Sequence, residues 1–590
     1  MKFPFIGGAY LGRSVNIDAQ TCINLMVEHD ASTPDGVALV NTPGYQAYST
    51  TGDYAAEIRG MLYPGFGDLI FAVIGNRFYE LSITTLVWTQ RNNAFPGATL
   101  TATTGPVSMV HSGPITKQIL IADGTKLHFY GYNGAPTFYQ ITVPTALKPN
   151  TVAYQDGRAI VDHQNDSGKF YYSNLYDFTQ FNAFSFSTAE GSPDTLVGVF
   201  VDRRELYLVG YETTEVWYNS SDANNPYQRY QGGFIQAGTN NPYTIQRCDN
   251  TIMWLAKNER GANQVVRLAD NYQIEVVSTQ QIDYLLSTYL DITNAFAITY
   301  QLAGHECYVL QFPTTNITWV YDARTREWHQ WASGAAGRHK ANAIVNVPVT
   351  GGGFTSVLAL NNTDGKVYVL FVGYPSDDGA VVYRERASHH VNDEQDRVRF
   401  STFQIDIEEA TAGGTSGAEV ISFVSAGVAP GATQLTLNAG DLAFAIAGHT
   451  LALVMDNGTI HLATITNTAT NPVTFTEPTI TGAGIANAVI IYEDDRLYVE
   501  WSKDGGQTWS AVQTLHMGVD LTIAGQITAD MERQMNARRL IIRKPGVARQ
   551  WTLRVKTANK CKVVIKGVWA GVYGGQTAEN TVRTKQSAAG

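Results

Sequence analysis

Cysteine is scarce and scattered. Four occur in 590 residues, at Cys22, Cys248, Cys307 and Cys561. No CxxC pair exists, so the chain lacks the spacing of a zinc ribbon or a dithiol redox centre. The four read as buried structural thiols, consistent with assembly in a reducing compartment. Long apolar runs are missing too: none approaches the roughly 18–20 residues that cross a bilayer as a helix. Residues 1–12 hold one Lys and a proline-broken apolar patch, without the h-region and cleavage site of a secretory signal. Charge is thin, with Asp, Glu, Lys and Arg at 16% against 44% apolar, which excludes a disordered chain.

The common catalytic signatures are absent as well. There is no HExxH, no GxSxG and no phosphate-loop GxxxxGK. His389-His390 lies in a polar turn, and His449 and His461 are isolated. Glu408-Glu409 and Asp494-Asp495 are sequence neighbours, so on a strand they point to opposite faces and cannot work as an acid/base pair. Gly351-Gly352-Gly353 sits between strands and reads as a loop. No catalytic residue, metal ligand set or cofactor is expected, and the chain reads as a non-enzyme.

What is present is turn and strand chemistry. The 54 glycines, 31 tyrosines and 10 tryptophans suit an all-β chain. Seven apolar hairpin cores begin near Asp68, Lys117, Gly157, Arg204, Asp249, His305 and Thr355, at intervals of 40 to 56 residues. Ile119-Leu120-Ile121-Ala122 turns at Asp123-Gly124 into Leu127-His128-Phe129-Tyr130, and Val357–Leu360 turns at Asp364-Gly365 into Val367–Leu370. That period leaves room for four strands per repeat and predicts a β-propeller of six or seven blades, since a terminal repeat can close the ring or lie outside it.

The rest divides by pattern. Residues 1–55 read as an extended segment with a turn at Asn41-Thr42-Pro43-Gly44, and 56–390 as the propeller. Residues 391–410 and 492–575 read as a discontinuous β-sandwich-like domain. It carries residues 411–491, rich in Ala, Thr and Gly, as an inserted small β-barrel. Residues 576–590 are a polar tail without periodicity.

Two motifs stand out. Ser502-Lys503-Asp504-Gly505-Gly506-Gln507-Thr508-Trp509 matches the Asp-box pattern, with Ser502, Asp504, Gly506, Thr508 and Trp509 at its defining positions. Its carboxylate accepts turn N–H groups, so the match predicts a self-contained hairpin and no chemistry. Residues 531–566 hold eleven basic side chains against one acidic, a strip of +10 that leaves −21 for the remainder of a chain whose total is −11. Arg538, Arg539, Arg543, Lys544 and Arg549 are its candidate partner-docking residues. A solvated strand face and a phosphate-contacting surface are its other readings.

Several stretches carry a family likeness. They are Ser14-Val15-Asn16-Ile17-Asp18-Ala19-Gln20-Thr21-Cys22-Ile23-Asn24-Leu25, Thr213–Tyr218, Asp249–Leu255, Val320-Tyr321-Asp322-Ala323-Arg324-Thr325-Arg326-Glu327-Trp328, Asp364–Tyr368 and the Asp-box strand. Across about residues 10–570 the chain resembles the tail nozzle or hub proteins of short-tailed bacteriophages, the packaged-DNA stabilization family. The resemblance implies a structural virion protein at the distal end of the tail, assembled in the bacterial host cytoplasm. It implies a homo-hexameric ring attached to an adaptor or portal ring and docking tail fibres or tailspikes. Genomic DNA would pass through the channel without sequence-specific binding, and no stable membrane insertion is implied. The alternative is a glycan-binding or sialidase-like propeller, which predicts a central pocket with convergent Arg, Tyr and Glu.

Overall fold

The computed structural model describes the chain apart from residues 15–17, 32, 34–35, 49–55, 94, 96–98, 142–147, 164–167, 190, 193, 223–224, 258–259, 262, 334–336, 349–353, 361–365, 393–396, 408–419, 458–459, 486, 493–495, 518–538 and 573–590. Among the described residues there is one α-helix, Gln280–Thr288; the regular structure is otherwise strands and three short 3-10 turns. The chain forms two compact units. One runs from Tyr45 to Phe371, interrupted at Ser333–Ala336; the other takes Met1–Gly44 and the chain from Val372 onward.

Among its described residues the first unit contains six separate four-stranded antiparallel sheets and, between the fifth and the last of these, four further antiparallel strands paired in order, Phe296–Leu302, His305–Phe312, Ile317–Asp322 and Glu327–Gln330, which make the sixth of seven such groups. Their first strands are Ile58–Leu62, Ser108–His111, Val152–Gln155, Leu196–Asp202, Gln246–Cys248, Phe296–Leu302 and Ala341–Pro348. These strands meet their neighbours around a circuit that returns from Ala341–Pro348 to Ile58–Leu62. Between the fourth and fifth sheets the turn Pro242–Thr244 fills the junction. The second strands are where the sequence period lies: Leu69–Ile74, Gln118–Ala122, Arg158–Asp162, Glu205–Gly210, Thr251–Lys257, His305–Phe312 and Phe354–Leu360. Such strands are covered on both faces by adjoining sheets. Ile70, Phe71, Ala72, Val73 and Ile74 are therefore all fully buried, an unbroken apolar run instead of an alternating one.

Packing between sheets closes the ring. Phe71 and Phe78 of the first sheet meet Tyr130 and Phe138 of the second. Tyr130 donates its hydroxyl to Glu80 at 2.6 Å, and Arg91 holds the other oxygen of that buried carboxylate. Ile70, Ala72 and Ile74 of the first sheet share a core with Val357, Ala359 and Val367 of the seventh. The seventh sheet takes its fourth strand from Gly44–Ala47, far upstream. There the Tyr48 N–H donates to the Val367 carbonyl at 2.8 Å, and Tyr45 meets Tyr368 edge-on at 5.3 Å.

The expected division is corrected at both ends. The N-terminal 55 residues are not a separate extended segment, and the propeller unit ends at Phe371 instead of 390. Lys2–Phe3, Leu25–His29 and Val37–Asn41 join a six-stranded sheet with Val398–Ile407, Arg539–Ala548 and Val564–Val572. Cys22–Ile23 pairs with Val382–Ala387, which pairs with Gln550–Asn559, which pairs with Arg496–Ser502. Strands of two to five residues carry almost no periodicity of their own, and their partners lie hundreds of residues away. Phe3, Phe400, Phe403 and Trp551 pack between these sheets, with Phe400 and Trp551 at 5.0 Å.

Between Ile407 and Arg496 lie a four-stranded sheet (Val420–Phe423, Ala488–Tyr492, Thr450–Val454, Ile460–Thr464) and the pair Gln434–Leu435 with Val473–Thr474. They enclose a core of their own that includes Leu437, Leu451, Leu453, Phe475 and Val489. The predicted hairpin of Leu451–Met455 with Thr459–Leu462 is formed by Thr450–Val454 and Ile460–Thr464. The polar tail expected at 576–590, the Ala/Gly stretch 411–417 and the Asp364-Gly365 turn lie outside the described residues.

Two arginines on Val382–Ala387 are each only 1% exposed, and carbonyls hold both. Arg386 donates from Nε to the Phe5 carbonyl (2.8 Å), from Nη1 to Gly8 and Thr21, and from Nη2 to Gln20 Oε1. Arg384 donates to the Pro375 carbonyl (2.6 Å) and to Asn559. Burial draws the Arg384 guanidinium down to about 10, so it remains charged at neutral pH. Replacing Arg386 by Met orphans several buried acceptors at once. We expect it to lower unfolding stability by roughly 3 kcal/mol, at about 1–3 kcal/mol per buried unsatisfied group, measured by urea denaturation followed through Trp fluorescence.

Asp162 ends a second strand of the propeller unit with no exposed surface. Desolvation raises its carboxyl from 3.8 to about 7, against hydrogen bonds from Asn150 and Thr151 that lower it. Between about pH 4 and 7 the unfolded chain gives up this proton while the folded chain keeps it, so stability falls across that window and then levels. Asp162→Asn is expected to flatten that slope in melts taken at pH 4, 5.5 and 7.

Candidate functional site: the axial opening and the basic strand

Side chains from several first strands converge on the axis of the ring. A cavity of about 370 Å3 is lined by Glu57, Arg59, Pro106, Phe296, Arg338 and Asn342, among others. A second cavity of about 190 Å3 shares Arg59, Pro106, Phe296 and Asn342 with it and adds Tyr243.

Two of these residues owe their direction to broken strand register. The ladder of the first sheet skips between Ile58 and Gly60, which leaves Arg59 as the extra residue. The ladder of the seventh skips between Ala341 and Ala343, which does the same for Asn342. A bulge re-aims one side chain out of the regular alternation. Gly60 follows in a tight spot, where a Cβ would come within 2.7 Å of Val107 Cγ2.

Arg59 is 3% exposed. Its Nε donates to the Gly105 carbonyl (2.7 Å), and Nη1 donates to Ala102 (2.7 Å) and Gly75 (3.1 Å). Arg338 is half-buried, sits 5.7 Å from the Phe296 ring centroid, and reaches Gln311 Oε1 at 3.5 Å and Asn342 Oδ1 at 3.4 Å. Glu57 accepts the Asn342 amide at 2.6 Å. Burial draws both guanidiniums below the usual arginine range; the Asp123 carboxylate, and to a lesser degree Glu57, offset part of that at Arg59, and Glu57 does so at Arg338.

Two Arg and a Glu thus meet at the axis, as the glycan reading expected. The tyrosine does not fit a nucleophile. Tyr243 donates its hydroxyl to the Asn150 carbonyl at 3.0 Å, and burial pushes its phenol well above the usual range. Among the described residues no group of three His, Cys, Asp or Glu is placed to hold a metal ion. All four cysteines are buried, and none forms a disulfide.

The predicted motif residues sit in the other unit. The Asp-box forms the turn its pattern implies. Asp504 accepts from the Ser502 hydroxyl (2.7 Å), the Thr508 N–H (2.9 Å) and the Thr508 hydroxyl (2.5 Å), while Gly505 and Gly506 adopt φ of 71° and 87°. Trp509 is only half-buried, and the Arg554 guanidinium stacks on its ring at 3.7 Å.

The basic strip is not one surface. Arg538 lies outside the described residues, and Arg539 begins the strand Arg539–Ala548. Arg543, Lys544 and Arg549 are exposed. Arg554 and Lys556 instead turn onto Glu500, at 2.7 and 2.9 Å. Burial alone would raise the Glu500 carboxyl, but Lys556 and Arg554 outweigh it and hold it below the usual range. Arg554 and Lys556, like charges on the strand Gln550–Asn559, therefore share one carboxylate within the fold, which offsets half of their charge. Sequence reasoning missed the axial cluster because Arg59, Arg338 and Asn342 lie in no motif, and nothing in local sequence marks a bulge.

What burial Asp504 has raises its carboxyl; the Ser502 and Thr508 hydrogen bonds prevail and bring it to about 2. Its contribution to the turn is present above about pH 4 and is lost as pH falls toward 2. Asp504→Ala is expected to speed exchange of the Thr508 amide several-fold at neutral pH, read by hydrogen–deuterium exchange.

A family model described as Bacteriophage P22 Gp10, beta-propeller, matches residues 1–355, more than half of the chain. No curated protein matches it. The matched span ends inside the seventh sheet and takes in the upstream strand that completes it. The chain therefore belongs to the P22 Gp10 family of packaged-DNA stabilisation proteins, structural proteins of short-tailed phage tails.

Proposed function

We propose that this protein is the hub of a short tail. Copies of the chain form a ring, six by the family resemblance, at the distal end of the tail tube. The ring attaches to an adaptor or portal ring, holds fibres or spikes at its side, and surrounds the channel through which DNA leaves. It assembles in the host cytoplasm, performs no reaction and crosses no membrane; among the described residues no helix is long and apolar enough to do so.

The observation that carries this reading is the family match over residues 1–355. Physical chemistry supports it. Retaining DNA under pressure asks for stiffness, and sheets buried on both faces in a closed circuit supply it. A conduit must not grip phosphates, because each Lys or Arg contact releases counterions and strengthens binding. The chain is acidic overall, at −11. Part of its basic strip is spent internally on Glu500. Exposed Arg543, Lys544 and Arg549 remain to meet acidic groups of a neighbouring protein.

Particles assembled without this protein are expected to package DNA and then lose it, scored as DNase-sensitive genome; adding the purified chain restores protection. Full retention in its absence sinks the reading. The triple change Arg543→Gln, Lys544→Gln and Arg549→Gln is expected to weaken incorporation into particles at least tenfold while the melting curve of the purified protein stays in place.

A further inference from the structure

The axial pocket has a chemistry that a passive hub does not require. Arg59 is anchored through Nε and Nη1 by three carbonyls, which orient a guanidinium without neutralising it. Its Nη2 has no partner among the described residues. Arg338 makes two long contacts, 3.5 and 3.4 Å, both from Nη1 to amide oxygens, and its Nε and Nη2 have no partner among the described residues. No carboxylate among the described residues lies within ion-pair distance of either group. Glu57 faces the same space with one oxygen on Asn342 and the other without a partner among the described residues. Burying two positive charges beside a single carboxylate is costly, and an anion entering the pocket offsets that cost.

The rest of the lining narrows the anion. Phe296, Pro106 and Pro313 form an apolar wall, and Thr104, Asn294 and Asn342 supply hydroxyl and amide groups. Glu57 accepts hydrogen bonds and repels a second negative charge, so a monoanion with hydroxyl donors fits better than a dianion. About 370 Å3, with a further 190 Å3 adjoining, suits one or two sugar rings. Neither a duplex nor a folded partner can enter that space. Pyranose rings offer the matching mixture: a C–H face for an aromatic or proline surface, and hydroxyls around the edge.

We propose that the axial pocket binds a carboxylate-bearing sugar unit. Its carboxylate is held by the free nitrogens of Arg338 and Arg59, its ring lies against Phe296, and its hydroxyls donate to Glu57. The site binds and does not hydrolyse: it offers one carboxylate instead of an acid/base pair, and Tyr243 is tied to a backbone carbonyl. This inference is independent of the tail-hub reading, since it concerns only what the pocket accepts.

The test is calorimetric titration of the full chain with glucuronate, N-acetylneuraminate, glucose and inorganic phosphate. At least one sugar acid is expected to bind saturably at one site per chain, with glucose and phosphate at least tenfold weaker. Arg338→Gln is expected to cost at least tenfold in affinity, and Arg338→Lys to recover part of it. Lys126→Gln, on an exposed turn residue outside the pocket, is expected to bind as the parent does. If Arg338→Gln fails to fold, Glu57→Gln takes its place: it keeps carboxylate binding but narrows the preference for the sugar acids over inorganic phosphate, and an unchanged preference overturns the proposal. No saturable binding of either sugar acid overturns the proposal. So does phosphate binding as tightly as the sugar acids, which marks a general anion site. Undiminished binding by a folded Arg338→Gln overturns it too.

Discussion

Everything in the propeller unit follows from sheets that bury both faces against neighbouring sheets. A four-stranded sheet alone leaves one face or both in water. A circuit of seven removes that exposure only if the last sheet meets the first. The core shared by Ile70, Ala72 and Ile74 with Val357, Ala359 and Val367 is that meeting point. The upstream strand Gly44–Ala47 completes the same sheet. Closure therefore couples residues some three hundred apart, and the stiffness expected of a structural tail protein is a property of the circuit as a whole.

The chain uses buried arginine in two ways. In the unit built from both chain ends, Arg384 and Arg386 give most of their donors to carbonyls and pin strands that would otherwise have little to hold them. At the propeller axis, Arg59 is anchored on one side only, and Arg338 is scarcely anchored at all. A guanidinium whose donors go mostly to carbonyls is architecture. A partly saturated one beside an apolar wall is a recognition surface. Bulges at Arg59 and Asn342 separate the two uses, because they turn side chains toward the axis that regular alternation would send elsewhere.

Much of this was legible in the residues. The seven predicted hairpin starts coincide with the second strands of the seven sheets, since those strands are buried on both faces and read as unbroken apolar runs. The Asp-box was legible because a turn of this kind is made by its own residues: Ser502, Asp504 and Thr508 satisfy one another within seven positions. The basic strip was legible as composition but not as a surface. Glu500 pairs with both Arg554 and Lys556 from a strand more than fifty residues upstream, and spacing within the strip carries no trace of it.

Local chemistry in the sequence determined the strand class, the repeat and its period, the isolated turn and the absence of long apolar helices. Each depends on residues close together in the chain, where alternation and turn propensity act directly. Tertiary structure alone decided the rest. It set where the N-terminal strands pair, that the propeller unit ends at Phe371, which basic side chains face water, and that Arg59, Arg338 and Glu57 share one cavity. Those outcomes depend on strand partners and ladder register. A one-residue slip in a ladder turns a side chain to the opposite face, and no local pattern encodes the position of such a slip when its partner strand lies elsewhere in the chain.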